Sequence, residues 1–323
     1  MYKLLNTNHP MFWLLLPILL VVLWQGNGSP DVEHASQVFV SLYNWALAVH
    51  VWLPSILGAA AILLTVLLIN QSIIQYKLVD SKAHFVAILY LILASSSGTA
   101  ISSPLVFGNL LFFFALNLSF SLSTGASLSS VSFWMGAVVS LAGLLYYPFW
   151  LFLPVMIFGM FTIQPPSARA ILIALLGWSL PIFYYIAAQY IFGSGEPLSI
   201  FDNFRTWILT PADAIPIRLR TMNVLFFMAV ILAVAIGIME FTANYYTLAI
   251  IRRKNYRLVL LAVGMIILLI VTLPSASIDM LACVATPLAF LVTRLLDRVK
   301  HPVLRDLILL GLIANIVALK MGY

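Results

Sequence analysis

Long apolar runs broken by short polar stretches dominate the chain. They occupy residues 11–25, 52–74, 83–98, 104–120, 130–146, 149–163, 170–192, 222–239, 258–274, 280–294 and 303–319. A helix that crosses the hydrocarbon core of a bilayer needs about 20 mostly apolar residues, within a range of about 17–25. The pattern predicts an all-α, polytopic transmembrane helical bundle of about eleven spans, forming a single integral membrane domain over residues 1–323. Several breaks rest on proline or serine clusters, as in SSSGTAISSP and YYPFW. The first run follows Lys3, as the apolar part of a signal peptide would. No small-x-small cleavage site precedes Pro30, so this run reads as the first span.

Residues 29–50 carry a different pattern. Ser29 reads as an N-cap, Pro30 as the first helical position, and Asp31 and Glu33 as first-turn acids favoured by the helix dipole. Val32, Ala35, Phe39, Leu42, Ala46 and Val49 then recur at three- and four-residue spacing, opposite Glu33, Gln37, Ser41 and Asn44. This predicts an amphipathic helix in the membrane interface, with Tyr43, Trp45 and Trp52 as headgroup-level anchors.

Composition strengthens the membrane reading. The chain is 63% hydrophobic and only 8% charged, against about 25% charged in soluble domains, and its mean hydropathy is +1.09. The bilayer is therefore the expected solvent and partner. The net charge of +6 could suggest nucleic acid, but the charges cluster at the ends of apolar runs, so no nucleic-acid partner is expected. They read instead as topology signals. With the N-terminus in the cytoplasm, Lys3, Lys77, Lys82, Arg169, Arg252, Arg253, Lys254, Arg257, Arg294, Arg298, Lys300 and Arg305 fall inside. Arg205, Arg218, Arg220 and Lys320 fall outside. That bias puts the segment SPDVEHAS on the outer face, with residues 193–221 as the other sizeable outer loop.

Candidate chemistry concentrates in those two segments. Asp31 and Glu33 have two readings: an ordinary helix start, or carboxylates acting as general base at the membrane surface. His34 lies one helical turn from Asp31, where it is either solvated or oriented by that carboxylate as a substrate-binding residue. Arg218 and Arg220 either anchor to lipid headgroups or grip a phosphate through the guanidinium fork. On the inner side, residues 240–257 read as a basic and aromatic surface segment, with Glu240 at the interface.

No Asp, Glu, Lys or Arg falls at the centre of a span, which weighs against an ion-coupled transporter. The polar residues within spans are neutral: Asn109, Asn117, Gln189 and the serines near 95–97, expected to form interhelical hydrogen bonds. The serine-rich stretch SLSTGASLSS reads as a turn with small-residue packing. The single cysteine, Cys283, excludes an intrachain disulfide and reads as a buried hydrophobe. Walker, dinucleotide, paired-histidine and GxSxG motifs are missing from the chain.

Two resemblances follow from these features. The stretches LLINQSIIQYKLVDSKAHFVAILYLIL, LLYYPFWLFLPVMIFGMF and IQPPSARAILIALLGWSLPIFYY resemble an uncharacterised family of polytopic inner-membrane proteins of Bacteroidota, a domain of unknown function. That family brings no activity and no site residues. The first 190 or so residues are also similar in layout to the GT-C superfamily of membrane glycosyltransferases: one span, an outer loop with acids and an interfacial helix, then tight hairpins. This second resemblance implies a polyprenyl-phosphate sugar donor, an acid in the first outer loop as base or metal ligand, and a possible divalent metal. Asp31 is the matching position and Glu33 the second. No other cofactor is evident.

The expectation is therefore a protein of the bacterial inner membrane that handles lipid-linked sugars or envelope glycans at the outer face. The alternatives are a non-catalytic subunit scaffolding a secretion or motility complex with other envelope membrane proteins, and a transporter.

Overall fold

The computed structural model describes residues 11–24, 35–79, 83–96, 99–165, 167–192, 198–209, 221–243, 246, 248–272, 281–298 and 302–320. Among them the regular structure is helical throughout. In chain order the helices are α1 (Met11–Trp24), α2 (Gln37–Val49), α3 (Leu53–Tyr76), α4 (Ala83–Ser95), α5 (Pro104–Ser121), α6 (Leu128–Leu145) and α7 (Phe152–Ile163). They continue with α8 (Ala168–Phe192), α9 (Ser199–Leu209), α10 (Thr221–Ala243), α11 (Ile250–Thr272), α12 (Leu281–Arg298) and α13 (Pro302–Lys320). Each apolar run of the sequence is helical over most of its described part. Among the described residues four stretches are long and apolar enough to cross a membrane: Leu53–Tyr76, Pro104–Thr124, Leu128–Leu145 and Ala168–Ile191.

The arrangement follows from which helices have a polar face and which have none. Residues 85–95 of α4 are all buried. A helix apolar on every side belongs in the interior, and α4 is packed by α1, α3, α12 and α13. Its length, about 20 Å at 1.5 Å per residue, is less than the ~30 Å of a hydrocarbon core. The run predicted to reach residue 98 ends as a helix at Ser95. Ser95 and Ser96 turn their hydroxyls back to the Ile92 carbonyl, at 3.0 and 2.8 Å.

Small residues bring α6 and α8 together. A Cβ on Gly136 would stand 2.2 Å from the Ala174 carbonyl oxygen, and one on Gly177 would stand 2.1 Å from that of Phe133. The two glycines thus make reciprocal backbone contacts at one crossing. Elsewhere Asn109 and Asn117 bind helices to each other, as expected, whereas Ser95 and Ser96, expected to do the same, bond back within α4. Asn109 donates to the Tyr90 hydroxyl at 3.3 Å and accepts from Thr286 at 3.1 Å, joining α4, α5 and α12. Ser72 of α3 donates to Asn117 of α5 at 2.7 Å. Gln189 departs from the expectation: it bonds Tyr185 of its own helix. Cys283 is fully buried, as a small hydrophobe should be.

Two turns sit at opposite ends of the bundle. Between α5 and α6, Leu122–Thr124 forms a 3-10 turn closed by Gly125 at φ +98°, a conformation that costs glycine little. This is the turn read from SLSTGASLSS. Gln164 at the end of α7 donates to the Leu122 carbonyl at 3.2 Å, and Asn255 of α11 donates to Ser123 at 3.1 Å. Lys254 caps α7 by donating to the Ile163 carbonyl at 2.7 Å, a cation at a helix C-terminus. This end also holds Lys77, Arg169, Arg252, Arg253, Arg257 and Arg294. Arg205 lies on α9, whose neighbours are at the other end. The segregation of basic residues read from the sequence is thus present between the two ends of the bundle.

Candidate functional site

At the end away from those basic residues, two short helices lie over the bundle. Helix α2 starts where Ser36 turns the chain: its backbone is extended and its hydroxyl accepts from the Phe39 N–H at 3.2 Å. The described helix therefore begins at Gln37. The expected N-cap Ser29, with Asp31, Glu33 and His34, lies outside the described residues. Ser36 is itself fully buried. It donates its N–H to the Leu145 carbonyl at 3.3 Å and its hydroxyl to that of Leu144, pinning the start of α2 to the end of α6.

Of the apolar stripe read for α2, Phe39 and Ala46 are buried while Leu42 and Val49 are exposed. The reason is that Ser36, Phe39 and Ala46, at three- and seven-residue intervals, face the bundle, and the rest of the stripe faces sideways. Trp45 and Trp52 are 62% and 68% exposed, as headgroup anchors would be.

Helix α9 lies within the second candidate segment, residues 193–221. Ile200 and Trp207 are buried, with Phe204 and Ile208 packed beside them, while Asp202 and Arg205 point outward. The floor beneath α9 is aromatic. Phe204 meets Trp150 edge-on at 5.0 Å, Trp150 meets Trp178 at 6.0 Å, and Trp150 donates to the Ser140 carbonyl at 3.2 Å. Gly143 makes room for it, since a Cβ there would lie 1.8 Å from the indole.

Tyr147, in the turn between α6 and α7, links both candidate segments. Its hydroxyl is hydrogen-bonded by the Asn203 side chain and by the Gln37 backbone. Burial pushes this phenol above its ordinary pKa, with the two hydrogen bonds partly offsetting the rise. It therefore stays a neutral, fixed post at physiological pH. Arg218 and Arg220 lie outside the described residues. The structure thus brings together the anchors of both predicted site segments, α2 and α9. Trp150→Ala is expected to cost about 3–5 kcal/mol. It should also release α9, read as faster amide exchange across residues 199–209.

The basic end holds a constellation the sequence reading missed. Arg294 of α12 grips Glu240 of α10 with two bonds, Nε to Oε2 at 2.5 Å and Nη2 to Oε1 at 2.9 Å. The Arg294 and Glu240 side chains are 9% and 13% exposed. The guanidinium also sits 4.4 Å from the ring centre of Tyr256 on α11, which stacks on Phe241. Arg252, Asp297, Leu78 and Val79 complete a cleft of about 20 Å³ beside Arg294, room for about one water molecule. The Nη1 of Arg294 has no hydrogen-bond partner among the described residues.

Two expectations are corrected here. The segment 240–257, read as a basic and aromatic surface segment, is largely helical where it is described: Glu240 still lies in α10, and from Ile250 the chain is already α11, with Asn255 and Tyr256 buried. Arg294, taken as a loop charge, lies inside α12, which runs to Arg298. Arg294 and Asp297 at three-residue spacing near the end of an apolar run were the available signal.

Among the described residues these features define an all-helical protein with four helices of membrane-crossing length and two helices laid across one end. It belongs to the family of unknown function DUF6427, whose family model matches residues 1–322. No curated protein and no solved structure matches it.

Proposed function

We propose that this chain is a multi-pass protein of a bacterial inner membrane, Bacteroidota being the group whose proteins its sequence resembles. We further infer that it is a GT-C-like protein handling lipid-linked sugars or envelope glycans at the outer face. Membrane embedding is supported by the four long apolar helices. It is supported too by the apolar flank of α8, where Leu172, Leu176, Phe183 and Ile191 are exposed. Water would leave such a patch unfavourably solvated.

The observation that carries the glycan reading is the tie through Tyr147. It holds Gln37, six residues after Asp31, and Asn203, on the segment leading to Arg218 and Arg220, at one end of the bundle. In this reading Asp31 takes the proton from an acceptor hydroxyl as that oxygen bonds to the sugar's anomeric carbon. The bond from that carbon to the phosphate oxygen breaks, and Arg218 and Arg220 hold the departing polyprenyl phosphate. Glu33 assists Asp31, and His34 contacts substrate. The divalent metal that the GT-C resemblance implies would fall on residues 31–34. Among the described residues no three of His, Cys, Asp and Glu converge, and no step here passes through a metal.

Asp31→Asn is expected to abolish glycan transfer while protein abundance holds. Unchanged envelope glycans in that strain would remove the enzyme reading.

A second reading, a non-catalytic envelope subunit, draws on the same α8. Its outer flank is a ready seat for a partner's helix. Copurification in mild detergent separates the two, a stoichiometric protein favouring the subunit and bound polyprenyl phosphate the transferase.

A further inference from the structure

A groove of about 840 Å³ runs along the side of the bundle between α7 and α11. Its volume falls within the range of roughly 300–1,000 Å³ seen for ligand sites. The lining is sharply divided. Arg257 and Thr162 stand at the basic end, and from there the walls are apolar through Phe158 and Gly264 to Pro154 and Leu268. Gly264 forms an open floor, for a Cβ placed there would meet nothing within 4 Å.

We propose that this groove holds one acyl chain of an anionic glycerophospholipid from the leaflet at the basic end, with its phosphate on Arg257. Three observations select that occupant. First, length: Arg257 to Leu268 covers eleven residues of α11, about 16 Å, against ~15 Å for half of a ~30 Å hydrocarbon core. A chain lying in the groove therefore reaches the midplane and no further. Second, polarity: the cation sits where the headgroup of that leaflet would lie, and the remaining walls offer an acyl chain only apolar contacts. Third, charge: Arg253 and Lys254 stand within one turn of Arg257 on α11, giving this mouth a positive field that selects an anionic headgroup. The charged mouth of the groove lies at the opposite end from Tyr147, and the proposal rests on membrane embedding alone, whether or not the glycan reading holds.

The test is native mass spectrometry of the detergent-purified chain titrated with dioleoylphosphatidylglycerol or dioleoylphosphatidylcholine. The wild-type chain is expected to keep one phosphatidylglycerol molecule at activation energies that strip phosphatidylcholine. Arg257→Gln should cut the preference about fivefold, the share of one cation near ~1 kcal/mol. Gly264→Leu, which adds a side chain where a Cβ meets nothing within 4 Å, should abolish retention of both lipids. Equal retention of the two lipids by the wild-type chain would overturn the proposal. So would unchanged retention in Gly264→Leu, or a polyprenyl phosphate that outcompetes phosphatidylglycerol for the groove.

Discussion

Changing Arg294 to Met, with Glu240 left in place, is expected to destabilise the fold by about 3–5 kcal/mol. The variant buries a carboxylate whose two hydrogen bonds, at 2.5 and 2.9 Å, have both gone. The companion variant, Arg294→Met with Glu240→Leu, removes both charges and their desolvation cost together. Replacing a whole buried pair by apolar residues of similar volume is often neutral, so most of the lost stability should return. Thermal unfolding of the two variants in one detergent checks this. A single variant within about 1 kcal/mol of wild type would mean that the pair behaves as an exposed one. Should the double variant fold yet lose cellular function, the clasp has a role beyond holding α10 and α12 together.

Gly177→Leu is expected to part α6 from α8. The obstacle is the Phe133 carbonyl oxygen, 2.1 Å from where the new Cβ would be. Backbone cannot rotate away as a side chain can, so the whole helix has to shift. Overpacking costs about 1–3 kcal/mol and occasionally more, and here it also breaks the reciprocal contact at Gly136. Helix pairs in a bilayer depend on such close packing because lipid tails match apolar side chains in water-avoidance. Loss of monodispersity in detergent is the readout, with Gly264→Ala as the control that should behave as wild type. If Gly177→Leu stays as stable as that control, the α6–α8 crossing is looser than described.

Much of this could be read along the chain, because hydrophobic periodicity is a local property. The eleven apolar runs are helical over most of their described lengths, and the serine-rich turn appeared where composition placed it. The helix over residues 37–49 was legible, yet its start was not. Ser29 and Ser36 are both sound N-caps by residue type, and only the contact with the Leu144 and Leu145 carbonyls distinguishes Ser36. Asn109 and Asn117 were correctly expected to bond across helices. Gln189 was not distinguished from them, since a longer side chain on an outer helix reaches a neighbour on its own turn.

What the amino-acid order determined by itself is the helical class, the positions of the helices and the gathering of positive charge at one end. These depend on neighbours within a few turns and on the cost of apolar surface in water. Which residues meet was decided only by the tertiary structure. Glu240 and Arg294 are 54 residues apart, and each alone has the look of an interfacial charge. Three helix ends had to converge before either was shielded from water. Likewise Gln37 and Asn203 share Tyr147 only because α2 and α9 fold over the same end. Pairing at such separations is a matter of packing geometry, which no local pattern encodes.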